Sequence, residues 1–372
     1  MPARPTRRML VLCPYPVGVA AGQRLKFEQY YDDWRAQGWE VVPSPFMDQA
    51  LWDIVFEKGH RAAKLIGVAK GYGRRVRDLL RIGRYDLVYV FMYVTPIGSS
   101  LFERLTRALA KRLLFDVEDN VILDVNRVDR DHPNPLLRFI RGTGKARYLI
   151  RTADHVVTSS PALNSRCLAI NAKGKCSYIS SSVDTDRFLP ANLYCNDRPP
   201  VIGWTGTFSS RVYLDLLRPM FQALARRCEF RLRVIGNFDY ALPGVDLEMI
   251  RWTAEREVED LQGIDIGVYP LTIDEWVTGK SGLKAIQYMA FGLPCVATEV
   301  GTTPEIIRHG ENGLLVQSEG QWLAALEQLI DQPDLRRRLG EQARRDAVAS
   351  YSIKAVAADY RAALESAMEN EA

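Results

Sequence analysis

The chain has 372 residues, about two and a half typical domains, so two domains are expected in place of one core. Hydrophobic residues make up 47% and charged residues 25%, which excludes a disordered or collagen-like chain. Lys and Arg total 49 against 45 Asp and Glu, a net +4, too even a balance for a protein whose surface coats nucleic acid. Six cysteines without a C-x-x-C pair and four histidines without ligand spacing point to reduced thiols and to no zinc or other metal centre. The basic start and the apolar run after it imitate a secretory signal. Residues 9–13, closed by Pro14 and Pro16, are shorter than the roughly seven apolar residues of a signal core and read as a first strand. No apolar run approaches the roughly eighteen residues of a membrane helix.

From there apolar runs alternate with helical patterns. A loop holding Gly18 and Gly22 precedes a helix over 25–37, and strands are expected at 39–42, 87–91, 113–115 and 155–158. This rhythm predicts a parallel sheet with helices on both faces, which binds ligands beyond the carboxyl ends of its strands. Residues 180–200, with three prolines and a cluster of Ser and Asp, read as an interdomain linker. A second series follows at 201–204, 230–235, 247–252, 264–269, 294–298 and 314–316, with its clearest helix at 253–261 and a helical tail over 321–369, its last helix capped by Ser352. The reading is two Rossmann-like domains with a cleft between them.

The chemistry concentrates in residues 279–316, GKSGLKAIQYMAFGLPCVATEVGTTPEIIRHGENGLLV. Ser281 is a candidate cap for a helix to about Ala290, ended by Gly292 and Pro294. Leu283, Ile286 and Ala290 would share the face that packs on the sheet. Lys280, Lys284 and Gln287, at i, i+4 and i+7, form a separate polar face. Two lysines beside the free amides of a helix start make a diphosphate cradle, with Gln287 one turn deeper towards a sugar hydroxyl. The same spacing also describes a solvated face of an amphipathic helix.

This segment resembles the signature of family 4 glycosyltransferases. So do IDIGVYPLTIDEW (264–276), WTGTFSS (204–210), RTADHVVTSSPAL (151–163) and SSVDTDRFLP (181–190), and the likeness covers nearly the whole length. It implies an α/β protein of the GT-B fold, its two Rossmann-like domains facing each other across a cleft. An acceptor domain would span 1–190 and a nucleotide-sugar domain 191–350, with a C-terminal helix over 351–372 crossing back. It further implies retaining transfer of a sugar from a UDP-, GDP- or dTDP-linked donor to a glycan or lipid-linked glycan in cell-surface polysaccharide or glycoconjugate synthesis, in the cytoplasm and without a strict metal requirement. By this resemblance Lys284 contacts the donor diphosphate, Arg211 or Lys280 supplies a second cation, and Gly206, Thr207, Ser281, Gly282 and Leu283 line the donor.

Several positions depart from the family pattern. The Arg that usually follows the glycine is Thr207, and the Lys about five residues later is Val212. Of two glutamates, the one that accepts the ribose hydroxyls falls on Gln287 and the other near Gly279, with Asp274 or Glu275 as possible replacements. A scaffold that has lost catalysis, or an epimerase of the same fold, is therefore kept as an alternative. In the first domain Gly22 would let backbone approach the donor, with Arg24 beside it. Asp116, Glu118 and Asp119 follow a strand and would orient a sugar or acceptor hydroxyl, or serve a turn. Trp252 would flank the nucleobase or pack in the core. Asp184-Thr185-Asp186 has the D-x-D form of a metal site but lies in the linker and reads as structural, as do His155 and His309. Residues 58–84 hold nine Lys and Arg against Asp78. With Phe46, Leu51, Trp52, Val55 and Phe56 just upstream, they read either as a dock for an anionic membrane through Arg74, Arg75, Arg77 and Arg81, or as a solvated basic helix pair.

Overall fold

Short runs of branched and aromatic residues, each closed by a Gly- or Pro-marked turn, form two parallel sheets in the computed structural model, which describes residues 7–118, 144–191 and 198–369. The first sheet contains β1 (Arg7–Cys13), β2 (Trp39–Pro45), β3 (Leu87–Phe91), β4 (Leu113–Val117), β5 (His155–Thr158) and β6 (Cys176–Tyr178), in the order β2-β1-β3-β4-β5-β6. Around it lie α1 (Ala21–Arg24), α2 (Tyr31–Ala36), α3 (Gln49–Val55), α4 (Arg61–Arg81), α5 (Leu101–Leu109), α6 (Lys145–Thr152) and α7 (Pro161–Leu168). Its central strands β1, β3 and β4 are almost wholly buried, as strands covered by helices on both faces must be. The edge strand β6 is a half-buried Cys-Ser-Tyr, and it gives no apolar run for a sequence reading to find.

The second sheet contains β7 (Val201–Gly206), β8 (Arg231–Gly236), β9 (Leu247–Arg251), β10 (Ile266–Tyr269), β11 (Cys295–Thr298) and β12 (Gly313–Val316), in the order β12-β11-β10-β7-β8-β9. That is the Rossmann order, with its switch point between β7 and β10. The helices are α8 (Arg211–Asp215), α9 (Arg218–Leu224), α10 (Glu257–Gln262), α11 (Leu283–Ala290), α12 (Thr303–Ile306), α13 (Glu319–Asp331), α14 (Pro333–Ser350) and α15 (Ile353–Met368). Two apolar clusters line the sheet. One is built on Trp204, Phe221, Leu232 and Leu326, the other on Tyr288, Met289, Phe291 and Cys295.

The chain divides into two compact units. One runs up to Ser180 and takes in the residues from Ala357 on; the other is Ser181–Val356. Ser352 accepts from the Ala355 amide at 3.1 Å and caps α15 as its sequence implied. In the first unit Tyr360 packs on Tyr30 with ring centroids 4.6 Å apart, and Arg361 pairs with Asp33 at 2.6 Å. The residues 181–190 read as linker are fastened to the second unit. The Phe188 ring stacks on Phe291 at 5.0 Å, and Arg344 donates to the carbonyls of Thr185 and Phe188. Asp184 accepts from the Asp186 and Arg187 amides, and Asp186 pairs with Lys354 at 2.7 Å, so both acids of the D-x-D serve local structure.

Two helices are shorter than expected. The span 25–37 holds a 3-10 turn at Glu28–Tyr30 and the short α2, and α1 ends just before it. Phe27, Tyr30, Tyr31 and Trp34, at i, i+3, i+4 and i+7, are all buried there and keep one inward face across the break. The expected helix at 253–261 begins only at Glu257, because Thr253 Oγ1 accepts from the Arg256 amide and holds a turn. Among the described residues no helix is long and apolar enough to cross a membrane.

Candidate functional site

At the switch point of the second sheet the carboxyl ends of β7 and β10 diverge, and the side chain that fills the gap is Lys284. Its Nζ lies 5.7 Å from the Trp204 ring centroid on β7 and 5.6 Å from the Tyr269 ring on β10. Both aromatic faces favour a cation at that point. Lys280 Nζ lies 5.7 Å from the Tyr213 ring of α8, so α8 is brought beside the start of α11. The solvated-face reading of α11 fails here: Ala285 to Ala290 are all buried, Gln287 included, and Leu283 and Lys284 are half-buried.

Two expectations about this helix need correction. Ser281 does not cap α11. The N-cap is Gly282, at φ +72 with no side-chain cap bond. A Cβ on Gly282 would meet Ile306 Cδ1 at 2.2 Å, so both the left-handed backbone and the close approach require glycine. Lys280 is likewise not on the helix. It follows a 3-10 turn at Val277–Gly279 in extended conformation, with its carbonyl accepting from Thr302 Oγ1 at 2.7 Å. The polar face is thus assembled from a strap and a helix. As expected, Gly292 ends the helix, its amide donating to the Met289 carbonyl at 2.9 Å and its φ at +70.

Tyr288 was not foreseen, although it lies within the quoted QYMA. Its ring lies against Gly267, where a Cβ would fall 2.4 Å from the ring, and its hydroxyl accepts from the Thr205 amide at 3.1 Å. This ties α11 to the turn that leaves β7. In that turn Thr207 and Ser210 form a capping box, and a Cβ on Gly206 would strike Trp204 and Ser210. Arg211, the candidate second cation, pairs with Asp215 at 3.4 Å and lies 5.7 Å from the Tyr240 ring. It lines a hollow of about 460 Å³ with Asp215, Arg218 and Tyr240. Lys280 therefore stands nearer to Lys284 in the chain and on the same helix approach, whereas Arg211 is engaged elsewhere. Asp274 accepts from the Val277 amide at 3.1 Å and from the Thr272 hydroxyl at 2.7 Å, which places its carboxylate in the turn. Exposed Glu275 offers its carbonyl to Thr278. Half-buried Trp252 packs on the second apolar cluster, the core option of its two readings.

In the first unit the loop after β1 is held from inside. Gln23 bonds both the amide and the carbonyl of Tyr15, and Glu28 accepts from the Gly18 amide at 2.8 Å and from Gln23. This lays Gly22 against the end of β4, where its Cβ would stand 3.1 Å from Glu118 Oε2. Glu118 is half-buried, and Arg24 lies on the same short helix as Gly22.

Asp116 does not join them. It is fully buried, paired with Lys26 at 2.6 Å and bonded by the Tyr89 hydroxyl. Burial pushes its carboxyl above the ordinary range against the pull of Lys26. Alternation puts 116 and 118 on the same face; Asp116 lies within β4, covered by Lys26 and Tyr89, whereas Glu118 stands one residue past the strand's end. Asp119 lies outside the described residues. His155 is a strand histidine as expected, bonded to Ser177 at 2.9 Å and Ser366 at 3.1 Å.

Two parallel six-stranded sheets with helices in one chain make the α/β two-domain architecture of the GT-B fold. A solved structure of that kind, Anabaena HepE in complex with UDP-glucose, aligns with 96% of this chain and 99% of its own, with a TM-score of 0.67 at 14% identity. Residues 199–332, within the second unit, match the family described as Glycosyl transferases group 1. The chain is 28% identical over 195 residues to a D-inositol 3-phosphate glycosyltransferase of Corynebacterium aurimucosum, covering 44% of this chain and 45% of that protein. It is 26% identical over 235 residues to LpsE of Rhizobium meliloti, a lipopolysaccharide core biosynthesis glycosyltransferase, covering 56% and 64%. The chain thus spans less than two thirds of the length of these curated relatives.

Proposed function

We propose that this protein is a retaining glycosyltransferase that moves a sugar from a nucleotide-sugar donor to a glycan or lipid-linked glycan acceptor in cell-surface polysaccharide or glycoconjugate synthesis. In this reading it works in the cytoplasm, at an anionic membrane surface. The observation that carries it is Lys284 held at the switch point between Trp204 and Tyr269, one turn from buried Gln287. The donor diphosphate meets Lys284, Lys280 and the first amides of α11. These charges stabilise the leaving group as its negative charge grows, and they act without a strict metal requirement. Gln287 donates to and accepts from the ribose hydroxyls. Gly22 and Glu118 of the first unit serve the sugar and acceptor side. In a retaining reaction of this kind the leaving diphosphate oxygen takes the acceptor proton as the new bond forms on the same face, so alignment of donor and acceptor matters more than an enzyme nucleophile.

The relatives' names support transfer to inositol phosphate or lipopolysaccharide core as the acceptor class, and the HepE complex supports a UDP-linked donor. The test is incubation with UDP-, GDP- and dTDP-sugars, with and without chelator, following donor hydrolysis and transfer. Turnover of one donor class that survives chelation is expected. Tight nucleotide binding without turnover on any donor would replace this reading with a sugar-nucleotide scaffold.

A further inference from the structure

The basic segment at residues 58–84 is built the opposite way from a basic patch. Of its four central arginines, Arg75 is fully buried, donating to the carbonyls of Cys13, Ser44 and Val94 and pairing with Asp78 at 3.0 Å. Arg74 donates to the carbonyls of Pro45 and Phe46, and Arg81 pairs with Asp78 at 2.8 Å. Gly67 and Gly71 sit tight against Leu51 and Phe46 on the same inner face. Three of the four arginines assigned to membrane docking are therefore structural; of the four, Arg77 alone is exposed.

The outward face of α4 is apolar. Leu65, Ile66, Val76 and Leu80 are 73%, 57%, 48% and 82% exposed, and exposed Ala62, Ala69 and Gly73 complete the stripe. At 100° per residue these seven positions fall within one arc of about 100°, and 62 to 80 run along about 27 Å of helix. Exposed Lys70 and Arg77 edge the stripe, Lys58 and Arg61 stand at its start, and Arg84 stands beyond its end. Beside it α5 turns Leu101, Leu105 and Leu109 outward at i, i+4 and i+8, with Tyr72 and Phe102 in ring contact at 5.5 Å between the two helices. Phe56, 79% exposed, precedes α4. Scattered surface leucines need no explanation, but a continuous outward stripe with a basic edge does.

We infer that the outward faces of α4 and α5 are a docking surface for an anionic lipid bilayer, into which the apolar stripe inserts while Lys58, Arg61, Lys70, Arg77 and Arg84 meet the headgroups. Exposed Glu57 aside, the rimming charge named here is positive, which a bilayer of anionic lipid complements and a second copy of this face does not. An amphipathic helix lying in the interface binds by buried apolar area and by headgroup attraction together. This inference rests on the proposed membrane-borne acceptor for its biological sense, but its test does not use catalysis.

The intact protein is sedimented with phosphatidylcholine vesicles and with vesicles of phosphatidylcholine and phosphatidylglycerol, at low and high salt. Three variants are compared: Leu65→Ser/Ile66→Ser/Leu80→Ser, Lys70→Ser/Arg77→Ser, and Arg74→Ser. All substitutions in the first two lie on the exposed face, so circular dichroism should match wild type. Wild type is expected to pellet with the anionic vesicles. The leucine triple should lose this by about tenfold or more, as exposed leucines that insert are worth that much, and the Lys70/Arg77 pair should lose the preference for anionic lipid. Arg74→Ser should bind as wild type in whatever fraction stays folded. Wild type that does not pellet at low salt, or a triple variant that pellets equally, overturns the inference. So does a dimer by light scattering that the triple variant dissolves, which would make the face a self-interface. Nucleotide binding without vesicles is measured in parallel: its loss in every protein would sink the proposed function while leaving the vesicle result standing.

Discussion

Helix α4 carries several basic residues at helical spacing and α11 carries Lys284 with Gln287 one turn on, and their environments are reversed. In α11 the polar groups Lys284 and Gln287 sit half-buried or buried at the carboxyl end of a sheet, with aromatic rings around the lysine. In α4 the arginines at 74, 75 and 81 turn inward onto carbonyls and Asp78, and the leucines turn out. A periodic pattern of charge locates a helix but not its orientation. A guanidinium, with five donors on a plane, can satisfy several carbonyls at once and so can be the buried side, whereas the Lys284 ammonium lies beside two aromatic rings. The direction in which the apolar side chains point separates scaffold from site.

The largest test of this contrast is Arg75→Ala. It leaves Asp78 without its buried partner and takes one donor from each of three carbonyls, of which that of Cys13 keeps the Phe46 amide, and it should cost about 3–5 kcal/mol in denaturant unfolding. An unchanged midpoint would mean that α4 is not anchored through its basic residues. Lys284→Ala should do the reverse. Turnover should fall ~100-fold, about 2.7 kcal/mol of transition-state stabilisation, while stability changes little, because Lys284 is only half-buried. Near-normal turnover would remove Lys284 from the diphosphate.

A third test asks whether the first unit also uses its other buried polar groups for structure alone. His155 is buried on β5 between Ser177 and Ser366, with Lys175 and Glu369 the charged groups facing it. Burial, with Lys175 adding to it, pushes its pKa down to about 4. The unfolded chain takes up a proton on this residue near pH 6.5 and the folded chain only near 4. Stability is therefore complete above the unfolded value and is lost as pH falls through this window, by about 2 kcal/mol between about pH 7.5 and about pH 5. His155→Gln should flatten that part of the stability profile measured by thermal unfolding. An undiminished slope would assign the acid sensitivity to other groups.

The strands of both sheets were legible because buried parallel strands are unbroken apolar runs, and β6 was not because an edge strand three residues long has none. The donor-side helix was legible as a motif, but its start was not. Ser281 looks like a cap by residue type, whereas the cap is Gly282, chosen by the approach of Ile306, and tertiary contact leaves no mark on local propensity. Asp116 on β4 and Glu118 just past its end share a face by alternation and so cannot be told apart by pattern. The ion pair of Asp116 with Lys26, ninety residues earlier in the chain, decides which is covered. The inward turn of Arg75 is of the same kind, since its partners are carbonyls, which every sequence contains.

The smallest effect sharpens the picture of α11 itself. Gln287 is buried at 6% exposure, so Gln287→Glu places a carboxylate in a poorly solvated position with Lys284 one turn back. In the free protein part of the desolvation cost is recovered from that lysine, and a loss of about 1 kcal/mol in stability is expected. When donor binds, two ribose hydroxyls donate to the two carboxylate oxygens and charge-assisted bonds replace neutral ones. Because the bound state is then favoured over a slightly strained free state, the rise in melting temperature given by a saturating nucleotide should be larger in the variant than in wild type. A smaller rise, with the fold intact, would turn Gln287 away from the ribose and leave Lys284 and Lys280 as the donor contacts of this segment.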